Sequence, residues 1–226
     1  MFSDRLLLTL ICLRHQLPHA TLAELSQLGE ESAAVRLGGV HALAGLANDA
    51  PTRDLRQTCI DVLCAYLRLP YTAEADLPSG DADARHAYLA VREVRHTVIR
   101  LIRDHLRLAP EHPHTWQGHD LDFTGVLFDG GDFSGAAFSG GTVVFSSAAF
   151  SGTVRFDDAE FSGGTVPFRF AEFSGGTVGF DDAEFSGGTV NFATARGVAP
   201  SGLVPSGGQL LPPGLGLPQP WYPPTP

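Results

Sequence analysis

The chain has 226 residues and a net charge of -10, and all 15 of its basic residues are arginine. Hydrophobic residues make up 43%, which excludes wholesale disorder and allows a buried core. The charge is uneven: residues 1–119 hold 14 acids and 12 arginines, residues 120–196 hold 11 acids and three arginines, so the second half lacks the basic footprint of a direct nucleic-acid binder.

The N-terminal segment, residues 1–20, has an apolar run from Leu6 to Ile11 and on to Leu13. That is far short of the roughly 20 residues that span a bilayer. It has the length of a signal-peptide core, but Arg14 and His15 follow it without a small-residue cleavage site, so a short buried or interfacial helix is expected and a membrane association is not. Cys12, Cys59 and Cys64 are odd in number and lack metal-ligand spacing. They read as buried, reduced thiols of a cytoplasmic protein.

Residues 21–110 read as a helical domain. Val35, Val40, Leu43 and Leu46 or Ala47 form one stripe, weakened by Gly38 and Gly39, and Pro51 stops that helix. Thr52 is placed to cap the next helix, where Leu55, Cys59, Val62, Leu63 and Tyr66 recur at helical spacing. After a polar loop the longest helix is expected at 82–108, with Ala84, Tyr88, Val91, Val94, Val98, Leu101, Ile102 and His105 on its apolar side. A second stripe carries Arg92, His96, Arg100, Arg103 and Arg107. It is either a dock for an acidic partner or, the commoner case, a solvated face with local pairs such as Arg100–Asp104. A connector follows at 111–120. Its His112, His114, His119 and Asp120 have the chemistry of metal ligands, but the prolines around them favour a loop, and no metal or cofactor is expected.

From Leu121 the chain parses into thirteen five-residue units: a small or aliphatic residue, any residue, Phe, then two small or polar residues. From Val143 a spacer precedes every second unit, usually Gly-Thr, which makes a twelve-residue period of five plus five plus two. The stretch "AEFSGGTVGFDDAEFSGGTVNF" shows it twice. This pattern resembles the pentapeptide-repeat family over residues 121–194. The resemblance implies a right-handed quadrilateral parallel β-helix in which each unit forms one wall and its central residue points inward. The implied ladder is Phe123, Phe128, Phe133, Phe138, Phe145, Phe150, Phe156, Phe161, Phe168, Phe173, Phe180, Phe185 and Phe192. The residue two before each Phe also points inward, and the insertions are expected at two opposite corners. The helical segment "QLGEESAAVRLGGVHALAGLANDAP" is similar to one that precedes the repeats in an uncharacterised group of such proteins from high-GC bacteria, some with membrane helices upstream.

The expected fold is therefore α+β: a helical domain at 21–110, a β-helix at 121–196 and a disordered tail at 197–226. The tail holds nine Pro, six Gly and no charged side chain. Trp221-Tyr222 within it has the character of a short binding motif. Four units to a turn places Asp132, Asp157, Asp158, Glu160, Asp181, Asp182 and Glu184 along two adjacent walls, offset by Arg155 alone. No nucleophile elbow, phosphate loop or zincin helix is present, so no enzyme is expected. The Asp clusters lack the second Gly-x-Gly of calcium-binding nonapeptide repeats and read as a charged wall. Two functions fit. One is a structural or protein-interaction module, as solenoids present extended surfaces. The other, which the resemblance brings in, is an acidic DNA mimic that binds a topoisomerase or another nucleic-acid-binding protein. The first coil needs a cover, which the long helix and Trp116 can supply. For the last coil, either the tail or a second copy serves, and pairing into a homodimer is the commoner device.

Overall fold

The computed structural model describes residues 32–204 and 210–222. The segment 1–20 with Cys12, residues 21–31, and the tail positions 205–209 and 223–226 lie outside the described residues. The chain divides into two compact units, 1–98 and 99–226.

The first unit is helical. Helix α1 spans Ala33–Asn48 and buries Val40, Leu43 and Ala47. Helix α2 spans Arg53–Leu67, and its N-cap Thr52 accepts a hydrogen bond from the Leu55 amide at 3.2 Å, as its sequence position suggests. The Arg56 guanidinium donates to the Ala47 carbonyl at 2.9 Å and so ties the end of α1 to the start of α2. Helix α3 spans Ala82–Leu106, and its residues up to Val98 belong to this unit. Arg95, outside both stripes read from the sequence, is nearly fully buried. It donates to the Leu67 carbonyl at 2.6 Å and lies 4.2 Å from the Tyr71 ring centre. A buried guanidinium is tolerable there because it satisfies an orphan carbonyl at the end of α2 and stacks on an aromatic face.

The second unit begins at Ile99 and contains the end of α3, the connector and the repeats. A phenylalanine every five residues suits neither a helix of 3.6 residues per turn nor a flat strand of period two. It suits short strands separated by corners. Thirteen strands, β1 to β13 in chain order, occur among the described residues, and every pairing is parallel. The first wall stacks β1 (Leu121–Asp122), β4 (Ala137–Val144), β7 (Glu160–Pro167), β11 (Thr189–Asn191) and β13 (Leu215–Gly216). The second stacks β2 (Leu127–Phe128), β5 (Ala149–Phe150), β8 (Glu172–Phe173) and β12 (Arg196–Gly197). The third stacks β3 (Gly131–Asp132), β6 (Val154–Arg155) and β9 (Val178–Gly179). The fourth is made by the first residues of β4 and β7 with β10 (Glu184–Phe185). The result is a four-walled parallel β-solenoid of about four turns.

The inner column is phenylalanine on phenylalanine. Phe123, Phe145, Phe168 and Phe192 stack at 5.0, 4.6 and 4.1 Å between ring centres. Phe128, Phe150 and Phe173 stack at 5.1 and 4.7 Å, as do Phe133, Phe156 and Phe180. Phe138, Phe161 and Phe185 stack at 4.9 and 5.0 Å. These separations follow from the inter-strand spacing of about 4.8 Å. All thirteen ladder residues lie inside, although Phe185 is only half-buried. Leu121, Val143, Val154, Val166, Val178 and Val190 fill the companion inward positions.

The insertions occupy two opposite corners, and their glycines are obligatory. Gly141, Gly164 and Gly188 have φ of +68°, +70° and +71° and stack at the corner from the fourth wall to the first. A Cβ on Gly164 would fall 2.3 Å from the Gly141 carbonyl oxygen. The left-handed conformation and the close approach of coils each exclude a larger residue.

The solenoid does not stop at Phe192. Arg196–Gly197 pairs with Glu172–Phe173, and Ser201 bridges Gly179. Gly197 and Gly202 thus take the places in the second and third walls where a Phe is missing. The expected tail boundary at 197 moves accordingly: the backbone ladder continues without phenylalanine, because its hydrogen bonds require only the path of the chain.

Candidate interaction surfaces

The acidic residues are positioned by the corners. The fifth residue of the first three units of the first wall (Gly125, Ser147, Phe170) and of the third-wall units (Gly135, Asp158, Asp182) adopts a left-handed turn. Asp158 and Asp182 do so with φ of +55° and +57°, in the place that Gly135 holds one coil earlier. Aspartate tolerates this conformation better than most side chains, since its short carboxylate bonds locally. The Asp158 amide donates to the Asp181 carbonyl at 2.9 Å, so the two Asp pairs sit directly one above the other. Around the corner Glu160 and Glu184 are partners in register. Asp157, Asp158 and Glu160 of one coil thus stack against Asp181, Asp182 and Glu184 of the next. The Asp157 carboxylate accepts from the Asp181 amide at 3.3 Å, and Asp181 accepts from the Ser201 hydroxyl at 3.2 Å. Asp158, Glu160, Asp182 and Glu184 are exposed. Together the six form an acidic ridge, with Arg155 on the adjoining third wall.

Asp132 does not belong to this ridge. It forms an ion pair with Arg103, near the end of α3. Partial burial works against ionisation of Asp132, but hydrogen bonds from Ser134 and the Arg103 charge outweigh it and hold the carboxyl below its usual range. Arg103 also pairs with Asp104 at 2.8 Å. Arg107 donates to the Ser134 carbonyl at 2.6 Å. Arg103 of the basic stripe and Asp132 of the acidic wall are therefore paired with each other, and Arg107 adds a backbone contact, fastening the end of α3 to the first coil. Of the other two arginines of the stripe, Arg92 is half-buried and Arg100 exposed.

The connector completes the cover of the first coil. Trp116 is fully buried and stacks on His105 at 4.0 Å. The His105 Nδ1 is 2.7 Å from the Leu101 carbonyl. Gln117 donates to the Leu106 and Leu108 carbonyls at 3.1 and 2.7 Å and accepts from the Ser139 hydroxyl at 2.8 Å. Asp120 accepts from the Thr142 amide at 2.7 Å. His112 and His114 contact each other, whereas His119 is buried elsewhere in the turn. Among the described residues no group of three or more His, Cys, Asp or Glu is arranged to hold a metal ion. Nor is any helix among them long and apolar enough to cross a membrane.

At the other end the described tail covers the last coil. Leu215 pairs with Val190, which places Leu217 at the level above Phe192. The amides of Val190 and Phe192 donate to the carbonyls of Gly214 and Gly216 at 2.9 and 2.7 Å. Leu215–Gln219, "LGLPQ", is thus a further unit with leucine in the central place. A residue-by-residue search for Phe misses it, whereas the aliphatic positions two apart signal it. Trp221 follows in a short 3₁₀ turn, Gln219–Trp221. Its ring lies 5.4 Å from Phe173 and 5.9 Å from Phe192, and its indole N–H donates to the Gly197 carbonyl at 3.0 Å. The tail thereby returns an aromatic ring to the column beside the position where Gly197 has none. These residues bury leucine and tryptophan, and hydrogen bonds to the last coil offset the ordering cost.

Parallel strands wound around a continuous phenylalanine column define a β-solenoid repeat protein. Residues 123–166 match the family described as pentapeptide repeats (9 copies). That match and the register running from Leu121 to Thr194 fit a pentapeptide-repeat protein. Comparison with curated proteins and with solved structures gives no match.

Proposed function

We propose that this chain is a non-enzymatic interaction module, in which the solenoid is a rigid support and the acidic ridge docks a basic surface of a protein partner. The observation that carries the reading is the coil-on-coil stacking of Asp157, Asp158 and Glu160 under Asp181, Asp182 and Glu184. Like charges stacked at strand spacing repel and work against the fold. A partner bearing Lys or Arg converts that repulsion into complementarity and a fast encounter. The fold supports an interaction role because solenoids offer flat, extended walls with little internal motion. The Cys59 thiol is pushed up to about 11 by burial and by nearby Asp61, and Cys64 is raised further by the same causes. Inert thiols of this kind suit a reducing cytoplasm.

DNA mimicry is the narrower version of this reading. About four coils at strand spacing give roughly 19 Å of stacking, against about 34 Å for one turn of the duplex. The ridge occupies two coils of that height. A basic protein surface of ordinary size is therefore the better-matched partner.

The test is capture from extract of the native cell by the wild-type chain and by a variant carrying Asp158→Asn, Glu160→Gln, Asp182→Asn and Glu184→Gln. The expected result is a protein retained by the wild type at low salt and lost with the variant. Identical capture by both would remove the ridge from the function.

A further inference from the structure

The covered end of the solenoid has the properties of a peptide-binding site that already holds its ligand. The tail adds a parallel strand that accepts from the Val190 and Phe192 amides, and anchors itself with the Trp221 ring. Main-chain pairing for affinity and an aromatic anchor for specificity is how extended peptides bind by strand addition. The occupant carries no charge and holds Gly214, Gly216 and three prolines between Pro212 and Pro218, so few of its own groups are tied to one another. It is attached to the last coil by one two-residue strand, where β4 and β7 are paired along eight residues each. A segment held this lightly opens at lower free energy than the coils beneath it.

We propose that Leu210–Tyr222 is a detachable occupant of this seat, and that the same segment of a second copy of the chain takes its place, exchanging tails between two molecules. The second copy is the matching occupant because the seat is built to this sequence. Gly197 carries no side chain and has φ of +95°, so the second-wall column above Phe173 is left open for an indole arriving from elsewhere, and the Gly197 carbonyl accepts its N–H. Leu215 and Leu217, both buried, meet the first wall in the register of Val190 and Phe192. Exchange recreates every one of these contacts between molecules, so it costs no contact and needs only that the tail lift.

The experiment is amide hydrogen exchange on the full chain, with a synthetic peptide of residues 210–222 as the probe. The Phe192 amide, bonded to the tail, is expected to exchange on the order of a hundredfold faster than the Phe168 amide, which is bonded to Asn191 one coil deeper. Millimolar peptide is expected to slow Phe192 exchange severalfold, and a peptide with Trp→Ala at position 221 to leave it unchanged. Full-length Trp221→Ala is expected to bind the wild-type peptide about tenfold more tightly than the wild-type chain does. Equal protection of Phe192 and Phe168 would overturn the proposal, and so would equal effects of the two peptides. If Trp221→Ala does not fold, the exchange measurements on the wild-type chain decide alone.

Discussion

Phe173 and Glu172 are adjacent in the chain and opposite in environment. Phe173 stacks on Phe150 and meets the Trp221 ring edge-to-face, whereas Glu172 points to solvent. Phe173→Ala is expected to cost about 3–5 kcal/mol, because a close-packed column cannot collapse around the gap. Glu172→Ala is expected to stay within about 0.5 kcal/mol. Denaturant unfolding of the two variants checks the register, since equal costs would mean that the inward face is misassigned. Glycine divides in the same way. Gly164→Ala meets the Gly141 carbonyl at 2.3 Å in a left-handed conformation and should destabilise by several kcal/mol. Gly45 in α1 has nothing within 4 Å of the added carbon, and Gly45→Ala should stabilise by about 1 kcal/mol. Thermal melts of the pair read both signs at once.

At the scale of elements, the end of α3 is fastened to the first coil by Arg103–Asp132 and by Arg107 on the Ser134 carbonyl. The Asp132 carboxyl is held below its usual range, so it binds protons more weakly folded than unfolded. Its contribution is therefore complete above the unfolded carboxylate range and is lost as pH falls through the lower folded value. Arg103→Ala should weaken that part of the acid dependence and leave the share held by the Ser134 hydrogen bonds, with a loss of about 1 kcal/mol or less at neutral pH, since Asp132 is partly exposed. Proteolysis within the connector during an acid titration is the readout, and an unchanged pH profile in Arg103→Ala would contradict it.

These elements also show what was legible beforehand. The walls and their inward faces could be read because each unit repeats its own instruction within five residues. The Thr52 cap and the stop at Pro51 are equally local. The Arg103–Asp132 pair joins residues 29 apart on elements of unlike period, and each looked like a member of a different surface. The fourth coil was hidden for another reason: Gly197 and Gly202 keep the backbone path and drop the side chain that marks the repeat. Trp221, which supplies that missing ring, lies 24 residues beyond Gly197. Complementarity across such a distance leaves no periodic trace.

On the scale of the whole molecule, the second unit is a column closed at both ends by its own chain, with an acidic ridge between the closures. Its aromatic interior and glycine corners leave the walls free to carry charge without disturbing the core. If the ridge exists for a partner, then the fold bears it at some cost, because stability and binding are selected separately. The most direct measurement is the melting temperature of the variant with Asp158→Asn, Glu160→Gln, Asp182→Asn and Glu184→Gln, which leaves the hydrogen bonds of the Asp157 and Asp181 carboxylates in place. Relief of two stacked like-charge pairs, each worth roughly 0.2–1 kcal/mol, predicts a rise of about 1–5 °C at low salt that vanishes in high salt. A fall in melting temperature at low salt would show that these carboxylates hold the solenoid together, and would contradict their assignment as a docking surface.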